Sequence, residues 1–193
     1  MNSVVPRWEW RSFGDDLGLV AARFTGEQAE AQESEELYLL SAVTDKSVKV
    51  RAGLLDIKSL EQVDAAGLEQ WRPELKAAFP LSRPDAERLL AVLQLSTADT
   101  RDRQLSLDEL LANLEHRGVR AVALHKRRRR YTIAGCMAEM TDVLLGGGAG
   151  TCSVAVESEH PERVRAAVED LGLSGRANVS YPRWLAQKVG HGG

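Results

Sequence analysis

The chain has 193 residues, is 44% apolar and 27% charged, and carries a net charge of −3. That is enough material for one large domain or two small ones with a real core, and it excludes global disorder. The near-neutral balance argues against a non-specific nucleic-acid binder, and no run approaches the roughly 20 apolar residues of a membrane span. Cys136 and Cys152 are too few for a metal cage and make at most one bridge. MNSVVPRWEW lacks the apolar centre of a signal peptide, so a reduced, cytoplasmic protein with no membrane contact is expected.

In chain order, Val4 to Phe13 alternates tryptophan with charge. The period of two predicts a strand with Trp8 and Trp10 toward a core and Arg7, Glu9 and Arg11 on the other face. Leu19–Phe24 fits helix or strand, and the acidic run Glu27–Glu36 reads as solvated. Leu37–Ser41 is a short apolar strand candidate, and Thr44–Ser47 reads as a turn. Ser47–Arg51 alternates cleanly, placing Lys49 and Arg51 on one face; Leu54–Leu60 does the same with Asp56 and Lys58. From Ser59 to Phe79 the apolar residues recur at roughly helical spacing, interrupted by Gly67 and Pro73, which predicts two short helices or a broken one. Pro84 opens a further helix, Arg101–Gln104 reads as a turn, and Ser106 with Glu109 forms a capping box for a helix over Leu107–Arg117 closed by Gly118.

Five consecutive basic residues, Lys126 to Arg130, then run out of the apolar segment Val119–Leu124 and into Tyr131-Thr132-Ile133. Flanked by β-prone residues, they read as mid-strand, with Lys126, Arg128 and Arg130 on one face and Arg127 and Arg129 on the other. Three cations side by side repel unless an anion or facing carboxylates answer them. Gly135–Val143 is the next strand, carrying Glu139. The glycine-rich stretch Gly146–Gly150 is followed by the strand-like Thr151–Glu157, so it reads as a hairpin loop and not as a phosphate-cradling turn before a helix. Cys136 and Cys152 fall on these two strands, close enough in sequence pattern to be neighbours. His160-Pro161-Glu162 starts a helix, and Ser180-Tyr181-Pro182 starts the last one, Arg183–Lys188.

Strand after strand alternates apolar with charge, so the expected sheet has one apolar face and one charged face. Covered by helices outside and curled on itself, it becomes an antiparallel tunnel lined by Arg7, Arg11, Lys49, Arg51, Lys58, Lys126, Arg128 and Arg130, with Glu9, Glu139 and Glu157 among them. Lys and Arg neutralise phosphate oxygens, and carboxylates hold Mg²⁺ or Mn²⁺, which is sufficient lining for phosphoryl chemistry.

Arg7, Glu9 and Arg11, then Tyr38, Lys49 and Arg51, the Asp56–Lys58 strand, Lys126 and Arg128, Asp142, Glu157 and the final Ser180-Tyr181 together resemble the CYTH family, the triphosphate tunnel enzymes. The resemblance is collinear over most of the chain. It implies a single α+β domain over residues 1–193, an antiparallel β-barrel or tunnel with helices outside, within which the middle of the chain, about 60–117, reads as a helical insertion or layer. It also implies a phosphorylated small molecule or polyphosphate as ligand, with Mg²⁺ or Mn²⁺ held by Glu9, Glu139 and Glu157. Arg7 stands where the family's first motif glutamate belongs, Arg11 where its lysine belongs, and Ala155 where a further glutamate belongs. Fewer acids and more bases weaken metal binding and favour anions. Metal-dependent triphosphate hydrolysis and a non-catalytic phosphate-binding module are therefore both open, as is an exposed nucleic-acid edge stacking bases on Trp8, Trp10 or Tyr131.

Overall fold

The computed structural model describes residues 5–24, 30–97, 104–146, 148 and 150–190. The predicted turn at Arg101–Gln104, the interior of the Gly146–Gly150 loop, the first part of the acidic run and the C-terminal glycines lie wholly or partly outside them.

Among the described residues, eight antiparallel strands close into one barrel: β1 (Arg7–Phe13), β2 (Gln32–Ser41), β3 (Ser47–Arg51), β4 (Leu54–Val63), β5 (Glu69–Ala78), β6 (Val119–Ile133), β7 (Cys136–Leu145) and β8 (Gly150–Ser158). Around the barrel they run β1-β5-β4-β3-β2-β6-β7-β8, and β8 pairs back onto β1. Closure leaves no sheet edge for another chain to add to. A 3-10 helix (Asp15–Arg23) follows β1, which resolves the helix-or-strand choice at Leu19–Phe24. The α-helices are α1 (Arg83–Val92), α2 (Leu107–Glu115), α3 (Pro161–Asp170) and α4 (Tyr181–Gly190). No described helix is long and apolar enough to cross a membrane.

Local chemistry explains most of the boundaries. The β3–β4 and β6–β7 hairpins each turn through Ala-Gly, Ala52-Gly53 and Ala134-Gly135, with positive φ at both residues. That is the two-residue turn whose twist matches paired strands. The capping box at Ser106 is present: its hydroxyl accepts from the Glu109 N–H while the Glu109 carboxylate accepts from the Ser106 N–H. Ser82 caps α1 ahead of Pro84, and Pro161 sits in the first turn of α3.

The helical reading of residues 59–79 is overturned, since that stretch forms the second half of β4 and all of β5. Asp64 makes the turn between them, its carboxylate accepting from the N–H groups of Ala66 and Leu68 at 2.9 and 2.8 Å, with Gly67 at φ 80°. Pro73 pairs with Lys58 of β4 at a register shift, beyond the last pairing of β5 with β1 (Arg7 with Trp71), and an irregularity of this kind is where a strand tolerates proline. Among the described residues, the helices of the middle of the chain are α1 and α2. A second correction concerns the acidic run: β2 reaches back to Gln32, so its end is paired with the basic strand β6. The cysteines are also not neighbours. Cys152 pairs with Asp142, six positions along β7 from Cys136, a rise of roughly 20 Å.

Alternation sorts the side chains into three apolar clusters. Outside β1 and β6–β8, Trp10, Tyr131, Met140, Val154 and Val156 pack under Val164 and Val168 of α3 and its C-cap Leu171. Outside β2–β4, Leu39, Val48, Val50, Leu55 and Ile57 pack under α1 and α2. The third cluster is inside. Tyr181, Trp184 and Leu185 of α4 meet Phe13, Tyr38, Val122, Leu124 and Val143 and fill one end of the barrel. The interior is thereby divided into an apolar plug and a charged chamber beyond it.

Candidate functional site

The chamber has a volume of about 310 Å³. Seven cationic side chains line it against four acidic ones: Arg11, Lys49, Arg51, Lys58, Lys126, Arg128 and Arg130 against Glu9, Asp56, Glu139 and Glu157. Strand register explains the convergence, because each of these residues occupies an inward position of a closed antiparallel sheet and cross-strand partners share a face. Arg7 is the exception among the expected lining residues. It stands at the rim with 48% of its side chain exposed, lining an adjoining recess of about 390 Å³ with Glu9, Lys58, Trp71 and Glu157.

Exposure falls from the rim toward the plug. The side chains of Arg130 and Arg51 are about a third exposed, while those of Lys126 and Arg128 are almost wholly buried. A lysine this deep needs every proton satisfied. Lys126 Nζ donates to Glu36 at 2.8 Å and Tyr38 Oη at 3.0 Å, and lies 3.2 Å from the centroid of the Tyr181 ring. Burial pushes its ammonium well below the ordinary lysine value despite the opposing pull of Glu36. Arg11 stacks over the other reach of Tyr181, 4.7 Å from the ring centroid, and its charge is strengthened by Glu9 and Glu139 against the cost of burial. Tyr181 therefore belongs to both regions, with its ring in the plug and its face on the cations.

Glu36 is the residue that sequence reasoning missed. The acidic run it closes reads as solvated, yet Glu36 is buried and takes hydrogen bonds from four cations. Its Oε2 accepts from Lys126 at 2.8 Å and Lys49 at 3.4 Å; its Oε1 accepts from Arg128 and, at 3.4 Å, from Arg51. Burial alone would raise its pKa, but Lys126, Lys49 and Arg128 hold the carboxyl well below the usual range. The signal was present in the sequence. Glu36 precedes Tyr38 by two, so on an extended β2 the two share the inner face. Glu69 was missed likewise: it is buried at the start of β5, accepts from Trp71 Nε1 at 3.1 Å, and takes an ion pair from Arg183 of α4.

The three carboxylates expected to hold metal face the chamber from the neighbouring strands β7, β8 and β1. Each is engaged by arginine. Glu9 pairs with Arg11 at 2.9 Å and Glu157 with Arg7 at 3.1 Å, and Glu139 lies 3.4 to 3.8 Å from Arg11, Arg128 and Arg130. Among the described residues no group of three or more His, Cys, Asp or Glu side chains is placed to hold a metal ion. As arranged, these side chains form an arginine-carboxylate lattice, and a divalent ion held by them would have to displace those pairs.

That lattice sets the response to acid. Burial raises the Glu139 carboxyl, but Arg11 and Arg128 and the Thr141 hydroxyl outweigh it and bring it down to about 2. Glu9 is lowered too, its burial offset by Arg11 and Lys58. A carboxylate depressed in the folded state contributes stability that is fully present above its unfolded value and lost as pH falls toward the folded one. The protein is therefore expected to lose stability steeply from about pH 4.5 toward pH 2, with Glu139 alone accounting for roughly 3 kcal/mol. Glu139→Gln should flatten that slope in urea unfolding measured across this range, and an unchanged slope would remove Glu139 from the account.

The fold and chamber define a closed antiparallel barrel with a one-ended, cation-rich interior. No family model matches the chain, and no curated protein does. Among solved structures it is similar to a conserved hypothetical protein from Pyrococcus furiosus, at 15% identity over 92% of this chain and 97% of that one, with a TM-score of 0.52. It is also similar to a candidate adenylate cyclase from Bacillus halodurans, at 12% identity over 93% and 95%, with a TM-score of 0.50. At these identities the likeness concerns the fold, which extends over nearly the whole of each chain.

Proposed function

We propose that the chain is a divergent relative of the CYTH family whose chamber binds a triphosphate or polyphosphate as a non-catalytic module. The observation that carries this reading is the excess of seven lining cations over four lining acids, or five with the buried Glu36 that four of the cations share, in a closed, partly dehydrated space. In such a space charge attraction is strong and cannot be relaxed by solvent. Lys58 makes no ion pair among the described residues, and Arg130 has only a 3.8 Å approach to Glu139, so both have donors to give to phosphate oxygens at the open end. The non-catalytic reading is supported by the arginines on Glu9, Glu139 and Glu157, which occupy carboxylate oxygens that a metal ion would need. A base-stacking surface finds no support, because Trp10 and Tyr131 are buried in the core under α3.

A second reading, hydrolysis of the same anion with Mg²⁺ or Mn²⁺, is favoured by the three inward carboxylates on adjacent strands. Calorimetric titration with tripolyphosphate, paired with a phosphate-release assay with and without divalent metal, decides between them. One-to-one binding without phosphate release, weakened about tenfold or more in Lys58→Ala/Arg130→Ala, is the expected result. Metal-dependent release would establish the second reading, and absence of binding would sink both.

A further inference from the structure

We propose that Glu36 is an internal counter-anion, fixed by the fold in the innermost part of the chamber, that confines a bound polyphosphate to the outer cations and so sets how much negative charge the site accepts. This rests on the phosphate-binding reading and deepens it by naming the residue that limits the ligand.

The geometry is that of an anion site already filled. Four cations from two strands converge on one carboxylate of a third, two on each oxygen: Lys49 and Arg51 of β3, and Lys126 and Arg128 of β6, around Glu36 of β2. A phosphate group is the external ligand such a fork of two arginines and two lysines would hold. With Glu36 in place their donors are committed and their charge is partly cancelled. The cations least committed, Lys58 with no ion pair among the described residues and Arg130 with a single 3.8 Å approach to Glu139, are nearer the rim. The barrel also fixes this division sterically. Beyond Lys126 stand Tyr38 and the Tyr181 ring, backed by Trp184, so a ligand that cannot displace Glu36 has no deeper space to enter. Glu36 cannot swing away as a surface carboxylate would, because its side chain is fully buried.

Removing the charge while keeping the shape separates this role from simple structural support. Glu36→Gln should bind tripolyphosphate about tenfold or more tightly than the wild type, since one unit of opposing charge leaves a low-dielectric site. Inorganic phosphate should also raise its melting temperature by more than it raises that of the wild type. Glu36→Asp, which keeps the charge, should remain near wild type in both measurements. Unchanged or weaker tripolyphosphate binding in the glutamine variant, with no added stabilisation by phosphate, would overturn the proposal; so would an equal gain in the aspartate variant. If the wild type fails to bind tripolyphosphate while Glu36→Gln is selectively stabilised by phosphate, the counter-anion role stands and the proposed function falls. If the glutamine variant does not fold without added anion but folds with phosphate, the carboxylate has been replaced by the ligand it mimics, and the proposal is upheld.

Discussion

Glu36→Ala is expected to lose about 3–5 kcal/mol of folding stability, because it strips the shared partner from a group of buried cations. Lys126 and Arg128 are nearly inaccessible to water, and each takes Glu36 as its closest carboxylate. Without it Lys126 keeps only Tyr38 Oη and the face of Tyr181, and Lys49, Lys126 and Arg128 repel one another across a space that water enters poorly. Lys126 can lower the cost by giving up its proton, which places the loss toward the lower end at alkaline pH. Urea unfolding at pH 7 measures the effect, and a loss below about 1 kcal/mol would show the cluster to be far wetter than its burial implies. Breaking a buried ionic group by removing one member is the costly operation; replacing the whole group by well-packed apolar residues need not be.

Trp184→Ala should cost a similar amount, about 3–5 kcal/mol, for a different reason. Trp184 lies parallel to Phe13 with ring centroids 4.4 Å apart, meets Tyr181 edge-on at 6.2 Å, and is the largest side chain that α4 contributes to the plug. Truncation leaves a cavity between a helix and a rigid closed sheet, and a barrel cannot contract to fill it as a helix pair can. Tyr181, which faces Lys126 and Arg11, would lose its support as well, so the mutation should also weaken tripolyphosphate binding although Trp184 lines no part of the chamber. Trp184→Phe should recover most of the stability. If alanine costs under about 1 kcal/mol, α4 is a peripheral lid and the one-ended description of the chamber is wrong.

The legible parts of this protein were those where one residue type repeated at one period. Alternation in β1, β3, β4 and β6 assigned Arg11, Lys49, Lys58, Lys126 and Arg128 to one face before any contact was known, and a strand has only two faces to choose from. The capping box at Ser106 and the turn residues near Gly53 and Gly118 were equally local. Composition misled where it was read without register. The stretch ESEE looks solvated because acids usually are, but on β2 Glu33 and Glu35 point outward to His125 and Arg127 while Glu36 points in. In residues 59–79, apolar spacing imitated a helix because a turn at Asp64 sits between two strands of opposite direction.

Sequence by itself therefore determined the strands that alternate cleanly, β1, β3, the first part of β4, β6, β7 and β8, which of their faces are charged, and that the basic run needs an anion. Only the tertiary structure decided which anion answers it. Ring closure brings β2 against β6 at a separation of some 90 residues, and no local pattern encodes that pairing. It also decided that Glu9, Glu139 and Glu157 meet arginines, because Arg7, Arg11 and Arg128 reach them from the same or neighbouring strands across a space narrow enough for charges to seek the nearest partner.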